Sequence, residues 1–279
     1  MADHEALGTG AGPGPVDPDV ERRWRDLLTG DHPAYRYGRR IMRRLPSDTR
    51  CKLCAAPFHG PAAPIMRLVG KAPWPKNPKY CGSCFTALTR YHGGAEIECS
   101  LLFADVRGST TLAEGMSATG FHQLMERFFG TAASVLVDHD AIVDKFVGDE
   151  VIGIFIPAMA SDHARQAVEA ARALMAGLQR DASGPATPVG VGVNSGVAYV
   201  GAVGSGDHSD LTAMGDPVNV AARLASAAGP GEILVAEATV RRLGMDLTTL
   251  TTRQLRLKGK SEPTTVAVLT AVGSSPTLD

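Results

Sequence analysis

The chain has 279 residues, a formal net charge of -1 and 44% hydrophobic residues, which leaves room for one domain of about 150 residues and a smaller unit. Balanced charge with no strongly basic half excludes nucleic acid as the leading partner class and argues against an electrostatic membrane binder. With no apolar run of about 18 residues and no apolar export core at the N-terminus, the expectation is a cytoplasmic protein without a transmembrane segment.

Residues 1–17 are rich in Gly, Pro and Ala without apolar period and read as a disordered tail. Residues 18–50 read as a helical segment. Val20, Trp24, Leu27 and Leu28 share one side of a first short helix, and Arg39, Arg40, Arg43 and Arg44 form a solvated face in a second basic stretch. Residues 51–94 hold two CxxC pairs, Cys51 with Cys54 and Cys81 with Cys84, separated by 26 residues, followed by a linker at Tyr91–Gly94. Two residues between thiols let both sulfurs point at one ion, and two such knuckles complete a tetrahedral set of soft ligands. Zn2+ suits that set, an iron-sulfur cluster uses the same ligands, and free or disulfide-linked thiols are the remaining reading. His59 and His92 are surplus to four thiolates and read as surface histidines. Six prolines between the knuckles argue against a helix or a central strand there, so the metal would supply the order that a small core cannot.

From residue 95 to 279 the pattern changes to alternating strands and helices. Ile97 to Val106 is a largely apolar strand with Asp105 at its end and Cys99 as a buried core thiol. The turn after it, holding Gly108, Ser109 and Thr110, opens a short helix whose free N–H groups can receive phosphate oxygens. Phe121, Leu124, Met125, Phe128 and Phe129 recur at helical spacing as core. Ala141 to Phe155 then reads as a hairpin whose tip, Gly148-Asp149-Glu150, carries acid groups able to bind a hard cation. An Ala-rich helix follows over about Asp162 to Arg180. Val189 to Val203 alternates Val with Gly or polar residues and is expected to turn at Asn194-Ser195-Gly196 as a two-stranded hairpin. A strand with Thr212 leads to a helix on which Asn219 and Arg223, four residues apart, share a face. Three further strands close the chain, with Lys258 in the turn between the last two. This order fits an α+β, ferredoxin-like (βαββαβ) fold with a C-terminal extension. If the first strand pairs with the hairpin, Asp105 and Asp149 become neighbours able to hold two divalent cations against a triphosphate.

FADVRGSTTLAE, KFVGDEVIGIF, GVNSGVAYVGAVG, TAMGDPVNVAARL and LKGK, in this order and spacing, resemble the catalytic domain of class III adenylyl/guanylyl cyclases over roughly Ile97 to Ala271. The resemblance implies a head-to-tail homodimer with two active sites at the subunit interface. It implies that Asp105 and Asp149 bind two Mg2+ or Mn2+ ions and that Lys145 and Thr212 select the base. Asn219 then orients the ribose, Arg223 stabilises the α-phosphate in the transition state, and Lys258 lies near the terminal phosphates. Each site would combine metal ligands of one chain with readers of the other, so a monomer is expected to be inactive; Glu150 becomes a hairpin or interface residue. Lys145 as donor and Thr212 as acceptor suit adenine, so the expected reaction is ATP to 3',5'-cyclic AMP and pyrophosphate. A guanylyl cyclase and a catalytically silent, regulatory dimerisation module are the alternatives. Two positions depart from the usual pattern. Thr212 stands where Asp is commonest, as in the subgroup that includes bicarbonate-responsive cyclases, and Ser109 stands where an aromatic is usual.

Overall fold

The structure, a computed structural model, describes residues 18–31, 33–47, 49–51, 53–75, 77–90, 93–180, 187–203, 210–258 and 262–270. The expected tail over 1–17, the Tyr91–His92 part of the linker, the Ser183–Ala186 part of the break after the Ala-rich helix and Lys260 lie outside the described residues.

The central sheet is organised on two long neighbours, β3 (Gly93–Val106) and β6 (Val189–Val203), paired antiparallel along their full length from Gly93↔Ala202 to Val106↔Val189. With β4 (Ile142–Val147) and β5 (Glu150–Phe155) they give the order β4-β5-β3-β6, which is the ferredoxin-like core. Beyond β6 the sheet continues through β8 (Glu232–Ala236), β10 (Thr264–Thr270) and β9 (Thr252–Leu255), while β7 (Asp210–Met214) pairs with the far half of β6.

β6 corrects the expected hairpin, because no turn interrupts it at Asn194-Ser195-Gly196. Its polar residues are satisfied by distant partners. Ser195 Oγ lies 2.6 Å from Ser100 Oγ on the facing strand, and the Asn194 amide donates to Pro217 O at 3.0 Å. A polar pair buried between strands looks like a turn in sequence because its partner is 95 residues away.

One sheet face is covered by α6 (Ala118–Asp138) and α7 (His163–Arg180). Ser117 caps α6 by accepting from Gly120 N at 3.1 Å, and Leu124, Phe128, Ala132 and Leu136 form its buried stripe. Ala164, Ala167, Ala170 and Ala171 let α7 lie close against the strands. Leu102, Ala104, Val151 and Val191 meet these helices from the sheet. Short α5 (Ser109–Gly115) precedes α6, and α9 (Glu237–Arg242) follows β8.

The opposite face carries α8 (Asp216–Ala227) together with the N-terminal part of the chain. There α1 (Pro18–Thr29) buries Trp24 and Leu28 in one cluster with Ile97, Leu101, Ile154 and Val200. Ala158 N donates to Leu28 O at 2.9 Å. Next comes α2 (Pro33–Met42), with Arg40, Arg43 and Arg44 exposed and Arg39 half-buried along and just past it. The stretch between the CxxC pairs holds one short helix after all, α3 (Ala63–Leu68), because Pro64 falls in its first turn, where a missing N–H costs nothing. A two-stranded ribbon, β1 (Pro73–Trp74) with β2 (Asn77–Cys81), leads into α4 (Gly82–Arg90), which reaches β6 and β7. Tyr80 and all four knuckle cysteines belong to the same core cluster as the sheet. Among the described residues no helix is long and apolar enough to cross a membrane.

Candidate active site

Gly148 and Asp149 form the turn between β4 and β5, and the φ of +62° at Gly148 makes the tight hairpin tip possible. Asp105 faces Glu150 in the ladder, and Val106 N donates to Asp149 O at 3.1 Å. Asp105 and Asp149 therefore stand side by side at one end of β3. The Asp105 carboxylate is ion-paired with Arg107, which also donates from Nη1 to Ser226 O at 2.9 Å. Burial lowers the Arg107 guanidinium from its ordinary value, and the charges of Asp149 and Glu150 oppose that. Burial, helped by the Asp149 charge and offset by Arg107, pushes the Glu150 carboxyl up. Arg107 thus neutralises a crowded acidic corner and ties it to the C-terminal end of α8. Nothing in the spacing of the sequence singled it out. Hard divalent cations are held by carboxylate oxygens, so two adjacent aspartates with Glu150 beside them fit Mg2+ or Mn2+ as a donor set.

Gly108, at φ +65°, caps α5, and Ser109 and Thr110 form the helix's first turn beside these carboxylates. Thr212 is 8% exposed on β7. The coiled sheet brings it against β4, where its hydroxyl donates to Asp144 Oδ2 at 2.7 Å. Asp144 and Lys145 lie where the β4–β5 register shifts between Val143 and Phe146, two residues standing opposite the single Ile152 on β5. Such a bulge re-aims side chains away from the regular ladder. Asp144 is the second residue that the sequence reading missed, and its place directly before Lys145 was the available signal.

Asn219 is exposed and Arg223 half-buried, one turn apart on α8. Gly215 at φ +126° and Pro217 in the first turn start that helix. It lies flat on β6 because Gly192 leaves no side chain between them. Lys258 is exposed where the chain leaves β9. Among the described residues, no hydrogen bond or ion pair joins Asp105 or Asp149 to Thr212, Asn219, Arg223 or Lys258. A cleft of about 410 Å3, lined by Ser195, Asp216, Pro217, Glu237 and Thr265 among others, contains none of them.

The second cluster is at the start of α4, which carries Cys84. The Sγ atoms of buried Cys51, Cys54, Cys81 and Cys84 all lie within 4.8 Å of one another. Thiolates placed about 2.3 Å from a zinc ion in a tetrahedron have sulfurs about 3.8 Å apart; Cys54 and Cys81 are 3.7 Å apart. Ala55 at φ 59° bends the first knuckle, and Cys81 N donates to Cys51 Sγ at 3.3 Å. Lys71 Nζ, 3.9 Å from Cys54 Sγ, offsets thiolate charge. Mutual hydrogen bonding drives Cys54 below the ordinary thiol range and Cys84 above it, as expected of sulfurs too close to be all charged without a cation. The donor chemistry and spacing fit a metal. His59 is exposed, and His92 lies outside the described residues.

The uncharacterised Mycobacterium tuberculosis protein Rv1319c is 31% identical over 191 residues, 64% of this chain and 34% of that one. Rv1320c of the same organism is 33% identical over 152 residues, 53% and 26% of the two chains. The chain thus spans about a third of the length of the curated relatives it matches. Among solved structures, the guanylyl cyclase Cya2 is 25% identical with a TM-score of 0.59, over 65% of this chain and 96% of that one. The adenylyl cyclase CyaB from P. aeruginosa is 27% identical with a TM-score of 0.55, over 63% and 96%. The model of the adenylate and guanylate cyclase catalytic domain matches residues 94–270, and the chain belongs to that family.

Proposed function

We propose that this chain is an adenylyl cyclase that converts ATP to 3',5'-cyclic AMP and pyrophosphate at the interface of a homodimer, in the cytoplasm. The observation that carries the reading is the pair Asp105 and Asp149, set side by side by the β3–β5 ladder next to the turn of Gly108, Ser109 and Thr110. Membership of the cyclase catalytic-domain family supports a site completed by a second copy.

In this reading the 3'-hydroxyl attacks the α-phosphorus of its own nucleotide, forming the O3'–P bond as the bond to pyrophosphate breaks. Catalysis is then positioning and charge neutralisation. Asp105 and Asp149 hold two Mg2+ or Mn2+ ions, which supply a lowered hydroxyl pKa and a clamp on phosphoryl oxygens. Asn219 orients the ribose. Arg223 holds the charge that develops on the α-phosphate, in a bidentate geometry that a lysine does not offer. Lys258 neutralises the terminal phosphates, and Lys145 with Thr212 reads the base. Cys51, Cys54, Cys81 and Cys84 hold Zn2+ as a structural ion, all four positions being filled by thiolates. Thr212 in place of the commoner aspartate makes bicarbonate stimulation part of the proposal, to be checked at fixed pH.

The test is turnover of ATP and of GTP by the purified full chain with Mg2+ or Mn2+. Cyclic AMP as the main product is the expected result. Cyclic GMP product in excess would replace the reading with a guanylyl cyclase, to which the similarity with Cya2 gives weight. No product from either nucleotide would leave a silent dimerisation module. Asp149→Ala is expected to abolish turnover while leaving the melting temperature unchanged.

A further inference from the structure

We infer that Asp144 sets which purine the pocket accepts, by fixing the hydroxyl of Thr212 as a hydrogen-bond acceptor. The inference rests on the reading of Lys145 and Thr212 as the base-selecting pair, and it adds a residue to that pair.

A threonine hydroxyl has one proton and two lone pairs, and it rotates to suit its partner. Left alone, Thr212 could donate to a purine 6-oxo group or accept from a 6-amino group, and would discriminate weakly. It is not left alone. Its proton is directed to Asp144 Oδ2 at 2.7 Å, and it is 8% exposed, so little water competes for it. A hydrogen bond to an ionised carboxylate is roughly twice as strong as a neutral one, so turning the hydroxyl away is costly. With the proton committed, the oxygen presents only lone pairs outward. An exocyclic N–H2 satisfies them, whereas a carbonyl oxygen sets lone pair against lone pair with the carboxylate behind.

The β4 backbone explains how the carboxylate arrives there. The register shift between Val143 and Phe146 takes the backbone of Asp144 and Lys145 out of the regular β4–β5 ladder, and from there the Asp144 carboxylate reaches Thr212. The pocket therefore takes 6-aminopurine nucleotides over 6-oxopurine nucleotides because of a residue that is not itself required to touch the base. Asp144 is a positioning residue, and sites built on such committed polar groups reject the mismatched partner strongly.

A merely structural role, in which the bond clasps β4 to β7, would affect stability but not choice of base. The deciding measurement is the ratio of kcat/KM for ATP to kcat/KM for GTP in the full chain, for the wild type, Asp144→Asn, Thr212→Val and the double variant. An amide at position 144 can donate to the Thr212 oxygen and free its proton for a 6-oxo group. Asp144→Asn is therefore expected to lower the ATP/GTP ratio at least tenfold, largely through KM for ATP, with the double variant no lower than Thr212→Val. A ratio within twofold of wild type, with a lowered melting temperature, would reduce the contact to a clasp and overturn the inference. Calorimetric binding of ATP and GTP to wild type and Asp144→Asn provides a second readout independent of turnover. A silent wild type that prefers ATP and loses the preference in the variant would refute the enzyme but uphold the role of Asp144. A wild type that binds neither nucleotide would overturn both.

Discussion

Gly192 on β6 is where the position of α8 can be tested. A Cβ added there would stand 2.3 Å from Ala221 O, 2.4 Å from Ala225 N and 2.8 Å from Leu224 Cβ. Two of these are helix backbone, so no side-chain rotation relieves the contact. Clearing it means moving α8 off the strand by about 1 Å, and overpacking of this kind costs about 2 kcal/mol. For a protein of this size that lowers the melting temperature by about 4 to 8 °C. The same helix carries Asn219 and Arg223, and a displacement of about 1 Å in a reacting geometry can cost about 100-fold in rate. Gly192→Ala is thus expected to lose activity well beyond its loss of stability. Gly153→Ala is the control, since its Cβ would meet the Leu136 side chain, with Cδ2 at 2.6 Å, on the sheet face away from α8. Thermal melts and initial-rate cyclase assays on both variants decide. Equal turnover in the two at equal stability loss, or a wild-type melt for Gly192→Ala, would refute the geometry.

Further outcomes follow from other parts of the molecule. Elemental analysis is expected to find one zinc per chain and a colourless protein, with chelation or Cys84→Ser lowering the melting temperature; a brown chromophore would assign a cluster. With metal bound, Cys99 is expected to resist thiol reagents, because burial pushes its thiol up to about 12. Burial, and then the charge of Arg242, hold the His163 imidazole below its ordinary value, against the pull of Glu98 and Asp162. The unfolded chain binds this proton near pH 6.5 and the folded chain only at lower pH, so stability from this group is full above about pH 6.5 and lost below it. Denaturant midpoints between pH 8 and 5.5 should fall more steeply for wild type than for His163→Gln, and parallel slopes would dismiss the assignment. Arg223→Lys is expected to lower kcat by about 100-fold with KM little changed, as befits a contact made mainly in the transition state.

The parts legible in the sequence were those whose partners are close along the chain. The Ala141–Phe155 hairpin, the stripes of α6 and α7 and the paired cysteines announce themselves within a few residues of spacing. Asp144 and Arg107 did not, because their meaning lies in Thr212, 68 residues away, and in Ser226, 119 residues away. The same cause hid the continuity of β6, whose Ser195 is satisfied by Ser100 and, through it, by His163 Nδ1 2.8 Å from the Ser100 hydroxyl. Nor does spacing tell that Trp24 and Leu28 seat on the sheet, since an amphipathic helix states that it needs a partner without naming it.

That seat changes what counts as a unit. The family match starts at residue 94, yet Trp24, Leu28, Tyr80 and the four cysteines share one apolar core with Ile97, Leu101 and Val200. The homology boundary therefore cuts through a hydrophobic core rather than between two beads on a string. Loosening the knuckles is expected to uncover apolar surface of the strand that ends in Asp105, so the cysteine cluster and the sheet are expected to lose their order in one cooperative transition.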